Sequence, residues 1–143
     1  MHVGLEGGKG QTYILKQRDN ESPSHFFLIK NVEEFIKSFT HKVWIFQSRK
    51  PDIIFEDYAG QKYAIEVETG TWLEKNPKGF AEKIKQLNNE YGNNWFILVT
   101  DALKKRDYEK FGRTCARAGA REEILRIFHQ EGKEMGAGAE KCL

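Results

Sequence analysis

The chain has 143 residues, which is enough for one domain with a moderate core and too few for a second full domain. Hydrophobic residues make up 39% of it and aromatic residues 13%, so we expect a packed interior and exclude wholesale disorder. The net charge of +2 says little about partners. The two cysteines, Cys115 and Cys142, form no CxxC pair, which argues against a zinc site and a disulfide framework.

The sequence contains no signal for membrane association. No apolar run approaches the roughly 18 residues that a membrane-spanning helix needs. The N-terminal sequence MHVGLEGGKG lacks the apolar core of a signal peptide. We therefore expect a cytoplasmic protein that does not bind membranes.

Composition divides the chain into an N-terminal arm (residues 1–21), a single domain (22–131) and a C-terminal tail (132–143). The tail is rich in Gly and Ala, and we expect it to be mobile. Within the domain, Ser22 and Pro23 are typical of a helix start. Apolar residues at helical spacing then predict a helix over residues 23–39.

A β-hairpin is predicted next, after a first strand over residues 43–46. Pro51 cannot donate to a sheet ladder, so it marks the start of a strand over residues 53–55. A turn over residues 57–60 leads into the strand Lys62–Glu68. The two strands flanking this turn are therefore expected to pair antiparallel.

A parallel crossover should follow the hairpin. Asn76 and Pro77 predict the start of an amphipathic helix, Pro77–Tyr91, and the apolar run Trp95–Val99 is typical of a central strand. A strand, a helix and a strand with short links imply a right-handed parallel connection. Two more helices are predicted, over residues 103–111 with Asp101 as the cap and over residues 121–130.

Two acidic residues stand out at the end of the hairpin. Glu66 and Glu68 share one face of their strand, about 7 Å apart by the usual rise per residue. Like charges at this separation raise each other's pKa unless a cation lies between them, and carboxylates are the usual ligands of Mg²⁺. The pair falls at the C-terminal end of an interior strand, where open α/β sheets usually bind ligands.

The order of these elements, with Pro51-Asp52 and Glu66-Val67-Glu68 on the hairpin, resembles the PD-(D/E)XK nuclease superfamily. This superfamily includes restriction endonucleases, RecB-type nucleases and archaeal Holliday junction resolvases. The resemblance spans residues 22–100. It implies an α/β protein with a restriction endonuclease-like core, namely three α/β/α layers around a mixed central sheet of four to five strands.

The resemblance also implies a Mg²⁺-dependent endonuclease that hydrolyses phosphodiester bonds in DNA, with Mn²⁺ as a substitute ion. Asp52, Glu66 and Glu68 would be the catalytic residues. Asp52, Glu66 and the Val67 carbonyl would bind the metal. Homodimers are expected by analogy, because cutting two strands takes two sites.

Glu68 stands where this superfamily usually has lysine, so its expected role is that of a further metal ligand or of the base that orients water. The missing lysine motivates an alternative function, a catalytically silent nuclease fold used for DNA binding or assembly. In some superfamily members the lysine lies on the following helix. Lys83 would fill this role if the predicted helix packs with it near the metal, and Lys75, Lys78 and Lys85 compete with it.

Further residues are weaker candidates for the site. Glu34 is similar to the first-helix glutamate of resolvases, and Gln86 to a motif residue of RecB-type nucleases. His25, near a helix start, is more typical of a polar cap than of an acid-base catalyst. Of the three tryptophans, Trp72 is the best candidate for stacking on a base because it follows the acidic strand, whereas Trp44 is expected in the core or at its rim.

Overall fold

The structure, a computed structural model, describes residues 23–46 and 51–141, with backbone alone for residues 130–141. The predicted arm, residues 1–21, lies outside the described residues. The strands and helices, with one short 3-10 turn at Ala102–Lys104, are in chain order α1 Pro23–Lys37, β1 Val43–Ile45, β2 Ile53–Glu56, β3 Lys62–Glu68, α2 Thr71–Lys75, α3 Pro77–Tyr91, β4 Trp95–Val99, α4 Lys105–Glu109, β5 Thr114–Cys115 and α5 Arg117–Lys141.

Across the described ranges, the five strands form one mixed sheet in the order β1-β2-β3-β4-β5. β2 pairs antiparallel with β1 and with β3, whereas β3, β4 and β5 run parallel. The predicted hairpin and the β3-α3-β4 crossover are therefore both confirmed. β3 is the central strand, so the acidic pair at its end lies in the middle of the sheet.

Helices cover both faces of the sheet, which confirms the predicted three-layer α/β/α arrangement. On one face, Phe55, Ile65 and Leu98 pack with α1 and α5. On the other face, Ala64 and Ile97 pack with α3 and α4. Side chains along each strand alternate between the two layers, as the two-residue period of a strand requires.

A helix cap and a hairpin turn explain where α3 and β3 begin. The Asn76 side chain accepts a hydrogen bond from the Gly79 N–H at 3.0 Å, with Pro77 in the first turn of α3. At the hairpin turn, Asp57 Oδ1 accepts from the Gln61 N–H at 2.8 Å, and Gly60 adopts a positive φ of 81°. The Asp57 contact closes the turn through which β2 and β3 pair in their antiparallel register.

Two helices differ from their predicted bounds. α1 ends at Lys37 instead of at residue 39, because the Ser38 hydroxyl donates to the Phe35 carbonyl at 2.6 Å and competes with a further helical turn. Phe39 still packs, stacking on Phe128 with ring centroids 4.8 Å apart. The helix predicted over residues 103–111 is instead a 3-10 turn followed by the short α4, with Asp101 as the predicted cap.

The C-terminal part also differs from the prediction. β5 has only two residues, too few to show a period in the sequence, and pairs with β4 through Ile97 and Leu98. α5 begins at Arg117 and continues to Lys141, so it extends beyond the predicted span of residues 121–130 on both sides. Its first turns contain small residues such as Ala120, which is fully buried. The mobility of residues 132–143 stays a prediction.

Within the part of the chain that the structure describes, no helix has the length and apolar character needed to cross a membrane.

Candidate active site

The acidic pair is buried at the C-terminal end of β3. Glu66 lies opposite Ile97 and Glu68 opposite Val99 in the parallel ladder with β4. Only 3% of Glu66 and 5% of Glu68 are exposed. Two carboxylates on one strand face have therefore been taken out of water, which strongly disfavours their charged forms unless a cation offsets them.

Asp52 meets the pair from the neighbouring strand. It directly precedes β2, and its Oδ2 accepts a hydrogen bond from the Val67 N–H at 2.8 Å. This bond uses the backbone of the residue between the two glutamates. The predicted catalytic residues, Asp52, Glu66 and Glu68, are thus brought to the same end of the sheet.

A lysine from α3 completes the cluster. The Lys83 ammonium donates to Glu66 Oε1 and lies 5.1 Å from the centre of the Trp72 ring. Trp72 belongs to α2, a helix that the sequence did not predict, and it packs edge-on against Phe80. Only 16% of the Lys83 side chain is exposed. The lysine therefore has a buried position fixed by an ion pair and an aromatic ring.

Lys83 is the one of the four candidate lysines that the structure brings to the acidic cluster. Lys75, Lys78 and Lys85 are all exposed. Residue 83 follows Phe80 and precedes Ile84 on the buried side of α3, and this places its stem along the core. A lysine on the helix thus stands beside Glu66 although the strand has glutamate at position 68.

His25 joins the site from the other helical layer. Its Nε2 lies 3.2 Å from the Val67 carbonyl oxygen and 3.6 Å from Asp52 Oδ2. The Val67 carbonyl, the predicted backbone ligand of the metal, therefore already contacts the ring of His25. Sequence reasoning expected only a polar cap at this position, and no spacing in the sequence links His25 with Asp52.

Electrostatics within the cluster follow from burial and like charge. Burial raises the pKa of Glu66 well above its ordinary value, and the Asp52 carboxylate raises it further, while Lys83 opposes the shift. Burial likewise raises the pKa of Glu68 to about 7, against the opposing effect of Lys83. The Lys83 ammonium and the ring of His25, even if that ring is protonated, carry fewer charges than the three neighbouring carboxylates. The cluster is therefore short of positive charge.

Two buried polar atoms among the described residues lack hydrogen-bond partners, and both belong to this region. One is Glu66 Oε2 and the other is the Tyr108 hydroxyl. Burial raises the pKa of Tyr108, and the Glu68 carboxylate, which lies near the hydroxyl but not in the geometry of a hydrogen bond, adds to that shift. A buried carboxylate oxygen without a partner is costly, and such atoms are typical of sites that accept a ligand.

The carboxylates of this site could hold a hard cation such as Mg²⁺ only with few protein ligands. Within residues 23–46 and 51–129, whose side chains the structure describes, no group of three or more His, Cys, Asp and Glu side chains is arranged to hold a metal. Mg²⁺ needs fewer protein ligands than Zn²⁺ or Ca²⁺, because it usually keeps several waters and takes one or two carboxylates together with substrate phosphate. The unpartnered Glu66 Oε2 and the neighbouring Asp52 carboxylate meet that requirement.

The structure does not bring Glu34 or Gln86 into the cluster. Glu34 is exposed and lies nine residues beyond His25, which places it about 14 Å along α1 and on the opposite side of the helix. Gln86 is also exposed and lines the groove beside α3. Tyr91 belongs to the core stripe of α3.

Comparisons with models of known protein families, with curated proteins and with solved structures each gave no match. The function is therefore inferred from the fold and from the side chains of the site.

Proposed function

We propose that this protein is a Mg²⁺-dependent endonuclease that hydrolyses phosphodiester bonds in DNA, with a site of the PD-(D/E)XK kind. The carrying observation is the partnerless Glu66 oxygen, buried beside the carboxylates of Asp52 and Glu68. Such a group needs a cation and offers oxygen ligands for one. The order of α1, the hairpin and the β3-α3-β4 crossover adds support, because it matches what the resemblance implies.

Asp52 and Glu66 would hold the ion, and their negative charge would otherwise repel DNA. A bound Mg²⁺ supplies a hydroxide-like nucleophile near neutral pH and screens the charge that develops on the phosphate. The Val67 N–H keeps the Asp52 carboxylate at the end of β3 through the 2.8 Å hydrogen bond. The Val67 amide would therefore position Asp52, and the Val67 carbonyl oxygen would be the predicted ligand of the metal.

Glu68 and Lys83 have distinct tasks in this proposal. With its pKa raised to about 7, the Glu68 carboxyl is poised to accept a proton from water near neutral pH. The Lys83 ammonium, held beside Glu66, supplies positive charge on the face opposite His25. It takes the electrostatic place of the lysine that the superfamily usually has on the strand.

Cleavage assays on plasmid and branched DNA test the proposal. Wild-type protein should cut with Mg²⁺ or Mn²⁺, and Asp52→Asn should abolish cutting while thermal unfolding remains cooperative. Asp57→Asn is the control, because Asp57 is the aspartate at the other end of the hairpin, its carboxylate accepts N–H bonds of the turn, and the amide oxygen of asparagine can still accept them. Equal activity in wild type and Asp52→Asn would refute the assignment.

A second candidate function is a silent nuclease fold that binds DNA or assembles with other proteins without cutting. The Lys83–Glu66 ion pair favours it, because an internal ammonium partly offsets the acidic cluster without any metal. Calorimetric titration with Mg²⁺ separates the two candidates. Heat of binding that is lost in Glu66→Gln supports the nuclease, whereas DNA binding by a protein that shows no heat of Mg²⁺ binding supports the silent fold.

Cleavage of both strands of a duplex requires two active sites. The nuclease proposal therefore extends to a homodimer, at least on DNA. Sedimentation of the protein with a duplex oligonucleotide would detect two copies per DNA.

A further inference from the structure

A groove runs along α3 away from the candidate active site. We call it the Trp44 groove; it has a volume of about 570 Å³, and its walls include Trp44, Phe46, Pro51, Ile54, Lys83 and Gln86. This volume lies within the range of pockets that bind small organic groups. The floor is largely aromatic and aliphatic, and the rim is polar.

The groove exists because α3 leaves one side of the sheet open. Trp44 pairs with Ile54, and Ile54 pairs with Ala64, so the three side chains form a row on the α3 face. α3 packs over the Ala64 end of this row. Trp44, at the other end on edge strand β1, is 42% exposed. A large aromatic ring is thus presented to solvent on a rigid strand.

Two residues connect the groove directly to the candidate active site. Pro51 lines the groove and immediately precedes Asp52. Lys83 lines the groove and contacts Glu66. From Lys83 the wall continues through Gln86 to Glu90, which is two turns or roughly 10 Å along the helix. The groove is therefore continuous with the candidate active site at Pro51 and Lys83.

We propose that the Trp44 groove binds an unpaired base of the DNA strand next to the phosphate that is cleaved. This inference rests on the proposed nuclease function and names its substrate class, a DNA with single-stranded or unpaired nucleotides near the cut. An exposed indole stacks on any base, since every base has a π-face, while Gln86 can exchange hydrogen bonds with base edges.

The preference for an unpaired base follows from geometry. Stacking on Trp44 needs a base face that is free, and in a duplex both faces of each base are covered by its neighbours. The groove is also bounded by α3 on one side and by the β1–β2 surface on its floor, which suits one splayed strand. Fully paired DNA would contact the site through its backbone alone.

Binding of labelled oligonucleotides to the full chain in EDTA tests this proposal without cleavage. Three probes are compared by fluorescence anisotropy: a single strand, the same strand with abasic positions, and the paired duplex. We expect the single strand to bind most tightly. Trp44→Ala should weaken its binding roughly five- to hundredfold, the range for loss of one base–aromatic stack, and should leave the abasic strand almost unaffected.

Three further variants serve as controls for the effect of Trp44→Ala on binding. Trp44→Phe keeps a ring and should retain most of the preference. Gln86→Glu adds negative charge at an exposed position of the wall and should weaken single-strand binding even if Trp44→Ala fails to fold. Tyr58→Ala removes another exposed aromatic ring, at 58% exposure on the hairpin turn, and should have no effect on binding.

Other outcomes distinguish this inference from the proposed function. Equal affinity for normal and abasic strands would overturn it. A dimer that dissociates in Trp44→Ala, together with DNA affinities that do not depend on the bases, would also overturn it, because the groove would then be the contact between two copies. If the wild-type protein cuts DNA but shows no base preference, the proposed role of the groove is refuted and the nuclease function is not. A base preference that depends on Trp44, in a protein that never cuts, keeps the groove and refutes the nuclease.

Discussion

Two buried glutamates in this protein have opposite surroundings. Glu123 on α5 is 9% exposed, and both of its oxygens accept from arginines, Oε2 from Arg113 at 3.2 Å and Oε1 from Arg126. Glu66 on β3 is 3% exposed and has one oxygen on Lys83 and one without a partner. The arginines of Glu123 are about half exposed, whereas the Lys83 side chain is 16% exposed.

This difference distinguishes a carboxylate that stabilises the fold from one that belongs to the candidate active site. Glu123 has its charge compensated at the edge of the protein, where water helps to solvate its partners. Glu66 keeps an uncompensated oxygen in the interior, next to Asp52 and Glu68. Natural proteins retain such costly arrangements where a ligand or a reaction needs them. The comparison can be tested by making matched changes in both regions.

The largest expected difference is in DNA cleavage. Glu66→Gln should lower the rate by roughly 10²-fold or more, the usual loss when one group that stabilises developing charge is removed. Glu123→Gln should cut like wild type, because its arginines lie on α5 and before β5, away from the acidic cluster. Single-turnover plasmid cleavage with Mg²⁺ measures both. Similar losses in the two variants would mean that folding, and not the site, had been damaged.

The next effect concerns the lysine of α3. Lys83→Met keeps the apolar stem but removes the ammonium beside Glu66, and we expect cleavage to fall by roughly 10- to 100-fold. Lys85→Met changes an exposed lysine two positions along the same helix and should leave the rate unchanged. If Lys83→Arg restores most of the activity, charge alone is needed. Unchanged cleavage in Lys83→Met would exclude a catalytic part for this lysine.

Replacing a glutamate by glutamine should change stability with opposite signs in the two regions. The folded-state pKa of Glu68 is raised from 4.5 to about 7, so its contribution favours folding below pH 4.5 and is lost as the pH rises to 7. Glu68→Gln should therefore be more stable than wild type at pH 8 by on the order of 1–3 kcal/mol, with a smaller difference at pH 5. Glu123→Gln should be destabilised by about 1 kcal/mol.

Urea unfolding in EDTA at several pH values measures these differences. The absence of metal is essential, because a bound cation would offset the repulsion that destabilises ionised Glu68. A Glu68→Gln variant that is less stable than wild type at pH 8 would contradict the charge deficit inferred for the cluster.

The smallest expected effect is stabilisation by the metal. At a Mg²⁺ concentration ten times the Kd, binding to the folded state adds about 1.4 kcal/mol, or several degrees in Tm. Thermal unfolding with and without Mg²⁺ should show this shift in wild type and in Glu123→Gln. It should disappear in Glu66→Gln. A shift of the same size in all three proteins would place the ion elsewhere.

The sequence predicted the parts of the site that lie on one short stretch of chain. Glu66 and Glu68 share a strand face by the two-residue period, and Pro51-Asp52 marks the start of the partner strand. Lys83 was the leading candidate among four lysines. Its contacts with Glu66 and with Trp72 depend on the packing of α3 on β3 and on the unforeseen helix α2. His25 could not be linked to Asp52, because the contact joins α1 to the hairpin across 27 positions of sequence.

The sequence also could not predict which tryptophan side chains are exposed. The sequence favoured Trp72 as the stacking residue, yet Trp72 is half-buried and packs against Phe80, while Trp44 is exposed on the edge strand. Which side of a strand is covered depends on where a helix from elsewhere in the chain packs. No local pattern contains that information.

By itself, the sequence determined the element order, the hairpin, the crossover and the acidic strand end, because these follow from local periodicity, capping and turn chemistry. Tertiary structure alone decided how the carboxylates of β3 are compensated. It buried Glu66 with a single ammonium and one unpartnered oxygen, and it left the face beside Trp44 open. Burial and charge balance depend on contacts between distant segments, and these arise only when the helices pack on the sheet.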